Sequence, residues 1–105
     1  MQIQVNTTST VEGSEKFSAY VSSVVESSLE RFSDRISRVE VHLSDQNAGK
    51  SGPDDKRCKM EARLKGRQPT AVTHDAESFN QAIDGAVEKI LRSIESTLGR
   101  LQSQT

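Results

Sequence analysis

The residue types that most often perform chemistry are few and scattered in this chain. His42 and His74 fall on different predicted strands, on opposite faces of a sheet. Cys58, the single cysteine, alternates with apolar residues and is expected to be a small buried side chain. His74-Asp75 is a pair that acid–base chemistry would use, but Asp75 is more simply a helix cap. Nucleophilic catalysis needs a base beside the nucleophile, and a metal needs converging ligands, so we predict no enzyme activity and no cofactor.

Gly49-Lys50-Ser51 is similar to the end of a phosphate-binding loop. That motif needs a glycine at position 44, where this chain has Ser44, and a helix directly after the loop. No helix is predicted there. A flexible hairpin loop over residues 45–55, which is rich in glycine and polar residues, explains the segment better.

Basic residues give the strongest chemical signal, although the formal net charge is only −1. The segment 57–67 has a local net charge of +4, the segment 31–38 has +2, and the last predicted helix adds further basic residues. The candidates for binding RNA phosphates are Lys89, Arg92, Arg100, Arg35, Arg38, Arg57, Lys59, Arg63, Lys65 and Arg67. Such contacts give affinity without reading sequence, and the alternative is a solvated sheet face.

The aromatic residues limit how RNA could be bound. Phe17, Tyr20, Phe32 and Phe79 all fall on the apolar stripes of predicted helices. We therefore expect no aromatic side chain to remain for stacking on a nucleobase. If RNA is the partner, its shape and phosphate geometry should dominate recognition.

Alternation of polar and apolar residues predicts four strands that position the basic residues. The strands cover residues 2–6, 36–43, 57–65 and 68–74, with a turn at Gly66-Arg67 between the last two. In the third strand Cys58 and its apolar neighbours face one side, and the basic residues face the other. Pro69 indicates that the last strand lies at a sheet edge or begins there.

Helical periodicity predicts two helices. The first has Ser14 as its N-cap and Leu29 at the flank of its apolar stripe. The stripe itself is predicted to contain Phe17, Tyr20, Val21, Val24, Val25 and Phe32. The second helix is predicted to be capped by Asp75 and to run from Phe79, and residues 102–105 are expected to fray.

One apolar face per element predicts an α+β fold of two layers in the order β-α-β-β-β-α. A four-stranded mixed sheet, with one parallel crossover and an antiparallel meander, would carry both helices on one face and leave the other face open and polar. The length suits a single domain over residues 1–101. The chain shows no secretion signal or apolar span, so we expect a cytoplasmic protein without a membrane partner.

The last helix contains a segment with a family resemblance. Ala82-Ile83-Asp84-Gly85 is followed by Lys89 and Arg92, and Phe32-Ser-Asp-Arg-Ile36 precedes the second strand. Together with the order of elements, these segments resemble the ribosome hibernation promoting factor family. That family includes the ribosome-associated translation inhibitors, formerly called sigma-54 modulation proteins. The resemblance covers about residues 1–101.

The resemblance implies a translation inhibitor that acts under stress or in stationary phase. Family members bind the small ribosomal subunit through its 16S rRNA and occlude the channel for mRNA and tRNA. Lys89, Arg92 and Arg100 match basic positions of the family's last helix, and Arg35 matches the arginine of its Asp-Arg-Ile segment. The chain would be a short form, monomeric away from the ribosome and without a small-molecule substrate.

Two helices depart from the family pattern. Serines occupy positions of the first helix where relatives usually carry lysines, and Ser96 and Leu98 replace further basic residues in the last helix. The serines of the first helix at these positions are Ser22, Ser23, Ser27 and Ser28. Each missing charge removes a possible phosphate contact. An alternative therefore stays open: a diverged member that acts as a protein–protein interaction module, through the open sheet face, without binding the ribosome.

Overall fold

The computed structural model describes residues 1–7, 15–45 and 56–103, with side chains described as far as residue 100. Its elements are β1 (Gln2–Thr7), α1 (Glu15–Leu29), a 3-10 turn (Glu30–Phe32), β2 (Ile36–Asp45), β3 (Lys56–Leu64), β4 (Thr70–Ala76) and α2 (Phe79–Ser103). The predicted order β-α-β-β-β-α and the α+β fold are confirmed.

The four strands form one mixed sheet in the order β1-β2-β3-β4. β1 runs parallel to β2, and the other two pairs are antiparallel, as the crossover and meander predicted. β4 is an edge strand, and Pro69 stands immediately before it. Proline has no backbone N–H, but at this position Pro69 removes no hydrogen bond between strands.

The core lies between one sheet face and the two helices. Alternate residues of β2 and β3 point into it, including Val41, Met60 and Cys58, which are fully buried. From the helices, Val25 and Ile90 are likewise fully buried. Burying such a side chain contributes about 1.5–3 kcal/mol. Because both helices use the same face of the sheet, the charged residues of the middle strands remain on the other.

The buried stripe of α1 differs from the prediction. Leu29 is fully buried rather than at the flank, because it continues the four-residue spacing of Val21 and Val25. Tyr20, expected in the stripe, is 50% exposed. Phe32 lies beyond α1, in the 3-10 turn. The predicted cap Ser14 lies outside the described residues.

The start of α2 also differs from the prediction. Ser78, not Asp75, caps the helix: its Oγ accepts a hydrogen bond from the Gln81 N–H at 3.2 Å. Asp75 is part of β4, which continues to Ala76, beyond the predicted end at residue 74. The hairpin predicted at residues 45–55 is described only at Asp45, the last residue of β2. Gly49-Lys50-Ser51 lies outside the described residues.

α2 is long compared with the sheet that it covers. Its 25 residues span roughly 38 Å, whereas the 7 residues of β4 span roughly 23 Å. Because α2 folds back antiparallel to β4, its C-terminal turns extend past the sheet end where β4 begins. In the part of the chain that is described, no helix is long and apolar enough to cross a membrane.

Candidate nucleic-acid interface

The ten basic residues predicted to bind RNA lie on three parts of the surface. Arg35, Arg63, Lys65 and Arg67 lie at one end of the sheet, Arg38, Arg57 and Lys59 on the open face, and Lys89, Arg92 and Arg100 on α2. We call the first group the basic end. All ten side chains except the half-buried Arg57 are exposed.

Backbone hydrogen bonds between two turns build the basic end. The Lys65 N–H donates to the Arg35 carbonyl at 2.9 Å, which joins the turn before β2 to the end of β3. The Arg67 N–H donates to the Leu64 carbonyl at 3.0 Å, and Gly66 between them has a φ of +75°, a conformation that favours glycine. The first bond brings together basic residues that are far apart in the sequence, and the second closes the turn between β3 and β4.

The four side chains of the basic end have no carboxylate partner among the residues that the structure describes. Arg63 Nε donates to the Arg67 carbonyl at 3.4 Å, which restrains the guanidinium without neutralising it. A group of uncompensated cations produces a local positive potential that attracts anions. The basic end is therefore well suited to hold phosphate groups.

Many other basic side chains are compensated. The ion pairs are Arg31 with Glu95, Arg38 with Glu40 (2.6 Å), Lys56 with Asp45 (3.1 Å), Arg57 with Asp75 (2.8 Å) and Arg92 with Glu88 (2.8 Å). A paired cation must weaken its own ion pair before it can bind a phosphate. Of the ten predicted RNA-binding residues, the structure thus shows Arg38, Arg57 and Arg92 in ion pairs, a distinction that the sequence did not provide.

The open sheet face combines both signs of charge. The strand register places Arg38 opposite Arg63, which is where the basic end adjoins the open face, and Glu40 opposite Glu61. Arg38 donates to Glu40 Oε1 at 2.6 Å and to Gln4 Oε1 at 2.5 Å. A shallow concavity of about 130 Å³ lies here, lined by Arg38, Glu40, Glu61, Ala62, Arg63 and Pro69. Its two carboxylates repel phosphate, so the centre of the face is a poor surface for an RNA backbone.

The other two basic residues of the open face differ in how their charge is compensated. Arg57 donates two hydrogen bonds to Asp75, at 2.8 and 3.1 Å. These bonds lower the pKa of the Asp75 carboxyl, against an opposing effect of burial, and raise the pKa of Arg57. Lys59, opposite His42 on β2, has no carboxylate partner in the described part of the chain. Of the two, Lys59 is the better phosphate ligand.

The basic residues of α2 lie along the path from the edge of the sheet to the basic end. Lys89 Nζ donates to the Thr73 carbonyl of β4 at 2.8 Å. Arg100 follows Lys89 by roughly 16 Å of helix, but β4 has only roughly 10 Å left between Thr73 and its first residue. Arg100 therefore extends beyond the sheet, on the side of the basic end. The Arg31–Glu95 ion pair also joins this part of α2 to the turn before β2.

The histidines and the cysteine are placed as the sequence predicted. His42 is on the open face, and His74 points inward, towards Gly85 of α2. Cys58 is fully buried, and its desolvation raises its pKa to about 12, so the thiol stays protonated near neutral pH. No three His, Cys, Asp or Glu side chains of the described ranges converge as metal ligands.

The sequence interpretation missed one exposed aromatic side chain. Tyr20 was expected in the apolar stripe of α1, but half of its surface is exposed. A helical wheel would have predicted this exposure. At 100° per residue, Tyr20 lies close to Lys16 and Ser27 and far from Val25, which is at the centre of the buried stripe. One aromatic ring is therefore available on the surface.

The fold and the surface define a class: a two-layer α+β domain whose uncompensated cations gather at one end, beside the basic part of its last helix. The chain belongs to the Sigma 54 modulation protein / S30EA ribosomal protein family, whose profile matches residues 3–102. This match confirms the resemblance found in the last helix and before the second strand.

Solved structures share this fold. The N-terminal domain of Protein Y from Thermus thermophilus superposes with a TM-score of 0.73 at 23% identity, covering 92% of this chain and 99% of that one. A ribosomal subunit interface protein from Coxiella burnetii has a TM-score of 0.64 at 17% identity, covering 98% of this chain and 99% of the other. No curated protein sequence is significantly similar to the chain.

Proposed function

We propose that this chain binds the small ribosomal subunit through its 16S rRNA and inhibits translation by occupying the channel for mRNA and tRNA. The observation that carries the proposal is the basic end, with its four uncompensated cations beside the C-terminal half of α2. Membership of a family that includes a ribosomal protein supports it. So does the fold shared with a protein described as a ribosomal subunit interface protein.

The proposed mechanism needs occupancy rather than catalysis. Contacts to phosphates release counterions from the RNA and give affinity without sequence reading. A folded domain held in the channel then excludes mRNA and tRNA by its volume. The proposal includes a cytoplasmic protein, monomeric away from the ribosome, that acts under stress or in stationary phase.

A second candidate function rests on the open sheet face. Glu40 and Glu61 stand opposite each other there, and both neighbour cations. Such a mixed pattern is poorly suited to RNA but can complement the charges of a protein surface. The second candidate is a protein–protein interaction module that does not bind the ribosome.

Co-sedimentation with purified small subunits at low salt tests the main proposal. We expect the chain to sediment with the subunits and to be displaced by modest salt, since phosphate contacts are salt-dependent. Subunits loaded beforehand with mRNA and tRNA should not bind it. The variant Arg63→Gln/Arg67→Gln should bind at least about tenfold more weakly, because two uncompensated cations are lost.

Arg31→Gln is the matched control, because Arg31 is exposed but paired with Glu95. It should bind nearly as well as the unchanged chain. Absence of binding at low salt would refute the proposal, and binding to loaded subunits would refute the occlusion mechanism. Capture of a protein partner that resists both salt and ribonuclease would instead support the second candidate.

A further inference from the structure

Among the described residues, Tyr20 is the large hydrophobic side chain that is exposed to solvent. It is 50% exposed on α1, and its hydroxyl has no hydrogen-bond partner among the described residues. An aromatic ring with a free hydroxyl can cover an apolar partner and still remain partly hydrated. The ring is thus open to a partner outside the chain.

The side chains beside Tyr20 on α1 indicate which chemical groups that partner contains. Lys16 lies one turn before it, and Ser23 and Ser27 lie one and two turns after it, all exposed on the same side of α1. Ala19 is small and exposed beside the ring, so it leaves room for a flat group. The stripe therefore combines a cation, an aromatic ring and two hydroxyl groups.

The acidic residues of α1 and of the 3-10 turn that follows it lie away from Tyr20 and Lys16. Glu15 is on another side of the helix, about 140° from Tyr20. Glu26 and Glu30 are roughly 9 and 15 Å further along the axis. They line a polar cleft with Met1, Ser27 and Ser33, at the end of the stripe away from Lys16. A negatively charged partner can therefore approach Tyr20 and Lys16 without meeting a carboxylate of α1.

We propose that the Tyr20 ring stacks on an unpaired nucleobase of RNA, while Lys16 contacts the adjoining phosphate and the Ser23 hydroxyl contacts the sugar–phosphate backbone. The inference rests on the proposed function and deepens it, because it identifies unpaired RNA as the partner of α1. Stacking needs only one ring face and tolerates any base. A protein interface would need a wider apolar patch, whereas Tyr20 is alone among the described residues in being large, apolar and exposed.

Stacking explains how the serine-rich side of α1 can contribute to binding. Its serines carry no charge, so contacts there add affinity without adding to the salt dependence. The basic end, by contrast, contributes through counterion release. The two surfaces should therefore respond differently to salt.

Fluorescence offers a direct test, because Tyr20 is the only tyrosine of the chain and there is no tryptophan. The full chain is titrated with single-stranded oligoadenylate and, separately, with inorganic polyphosphate of matched charge. We expect oligoadenylate to quench the tyrosine emission and polyphosphate to leave it unchanged. Equal responses to the two polymers, or no response to oligoadenylate while it binds, would overturn the inference.

Three variants test the contact on small subunits, with circular dichroism as the check on folding. Tyr20→Phe should bind within about twofold of the unchanged chain. Tyr20→Ala and Tyr20→Leu should bind about tenfold more weakly, with an unchanged slope of affinity against salt. If Tyr20→Leu binds as well as the unchanged chain, the contact is apolar rather than stacked and the inference is wrong.

The failure of this inference is distinguishable from the failure of the proposed function. If the unchanged chain binds neither small subunits nor oligonucleotides at low salt, both are wrong. If it binds normally and all three variants match it, the ribosome proposal survives and Tyr20 stacking is refuted.

Discussion

At Gly85, α2 comes so close to β4 that there is no room for a side chain. A Cβ atom at this position would overlap the imidazole ring of His74. Glycine inside a helix costs about 1 kcal/mol relative to alanine. The sequence identified Gly85 as part of a family-like segment, but its physical role needs the neighbouring strand.

Replacing Gly85 by alanine should therefore destabilise the protein, although alanine is the better helix former. We expect Gly85→Ala to lower the free energy of unfolding by about 1–3 kcal/mol, because the added methyl group overpacks the contact with His74. Urea denaturation followed by circular dichroism measures the change.

Gly99→Ala is the matched control, since that glycine lies in the same helix with open space around it. This variant should be neutral or slightly stabilised. In a His74→Ala background the sign of Gly85→Ala should reverse, because the overlapping ring is gone. If Gly85→Ala is as stable as Gly99→Ala in the unchanged background, the close approach is not what selects glycine.

At the scale of elements, hydrophobic periodicity predicted the type and order of every helix and strand that the structure describes. Two errors came at element ends, where the pattern is weak: the cap of α2, and Phe32, which lies in the 3-10 turn after α1. Asp75 was predicted as the cap of α2, but the strand register pairs Asp75 with Arg57, and Ser78 caps the helix instead. Tyr20 was misplaced because it lies beside the half-buried Phe17 and Val24 on the helical wheel, although it is far from the fully buried Val25.

The charge pattern of the surface was less predictable than the fold, because it depends on contacts between different elements. Local clusters of charge are visible in the sequence, but the pairs Arg31–Glu95 and Arg57–Asp75 join residues from different elements. Which cations remain uncompensated depends on tertiary contacts. The ten candidate residues were therefore chosen by local charge and, for Lys89, Arg92, Arg100 and Arg35, by family resemblance. Their division into paired and unpaired cations had to come from the structure.

The cap of α2 provides a test at this scale. Ser78→Ala should lower the free energy of unfolding by about 1 kcal/mol, because the Gln81 N–H loses its acceptor. Ser78→Asp should retain most of the stability, since aspartate is also a good cap. The measurement is again urea denaturation.

Ser96→Ala, an exposed substitution within α2, serves as the control and should cost far less than the cap variant. Asp75→Ala should lose the ion pair with Arg57 but leave the helix start intact. An equal stability of Ser78→Ala and Ser96→Ala would show that Ser78 does not act as the cap.

For the whole molecule, the net charge of −1 conceals a strongly uneven distribution. Carboxylates compensate part of the open face and of α2, and uncompensated cations gather where β2 begins and β3 ends. A nearly neutral chain can therefore bind a polyanion in a preferred orientation, because the largest group of uncompensated cations among the described residues lies at one end. The salt dependence of binding should show which cations contact phosphate.

The slope of log affinity against log salt for small subunits should fall by about 0.8 for each phosphate contact removed. We expect Lys65→Gln and Arg67→Gln each to reduce the slope by about that amount. Arg92→Gln should reduce it less, because Glu88 already compensates Arg92 in the free protein. The ammonium of Lys89 donates to a carbonyl and interacts with Asp75 only at longer range, so Lys89→Gln should resemble the variants of the basic end more than Arg92→Gln does.

This series separates two views of the interface. If the family-matching residues of α2 dominate, Lys89→Gln and Arg92→Gln will change the slope more than Lys65→Gln and Arg67→Gln. If ion pairing with carboxylates in the free protein determines which cations bind phosphate, Arg92→Gln will change the slope less than the other three variants. Equal slopes for all four variants and the unchanged chain would mean that none of these side chains contacts phosphate, and the interface would have to lie on another surface of the domain.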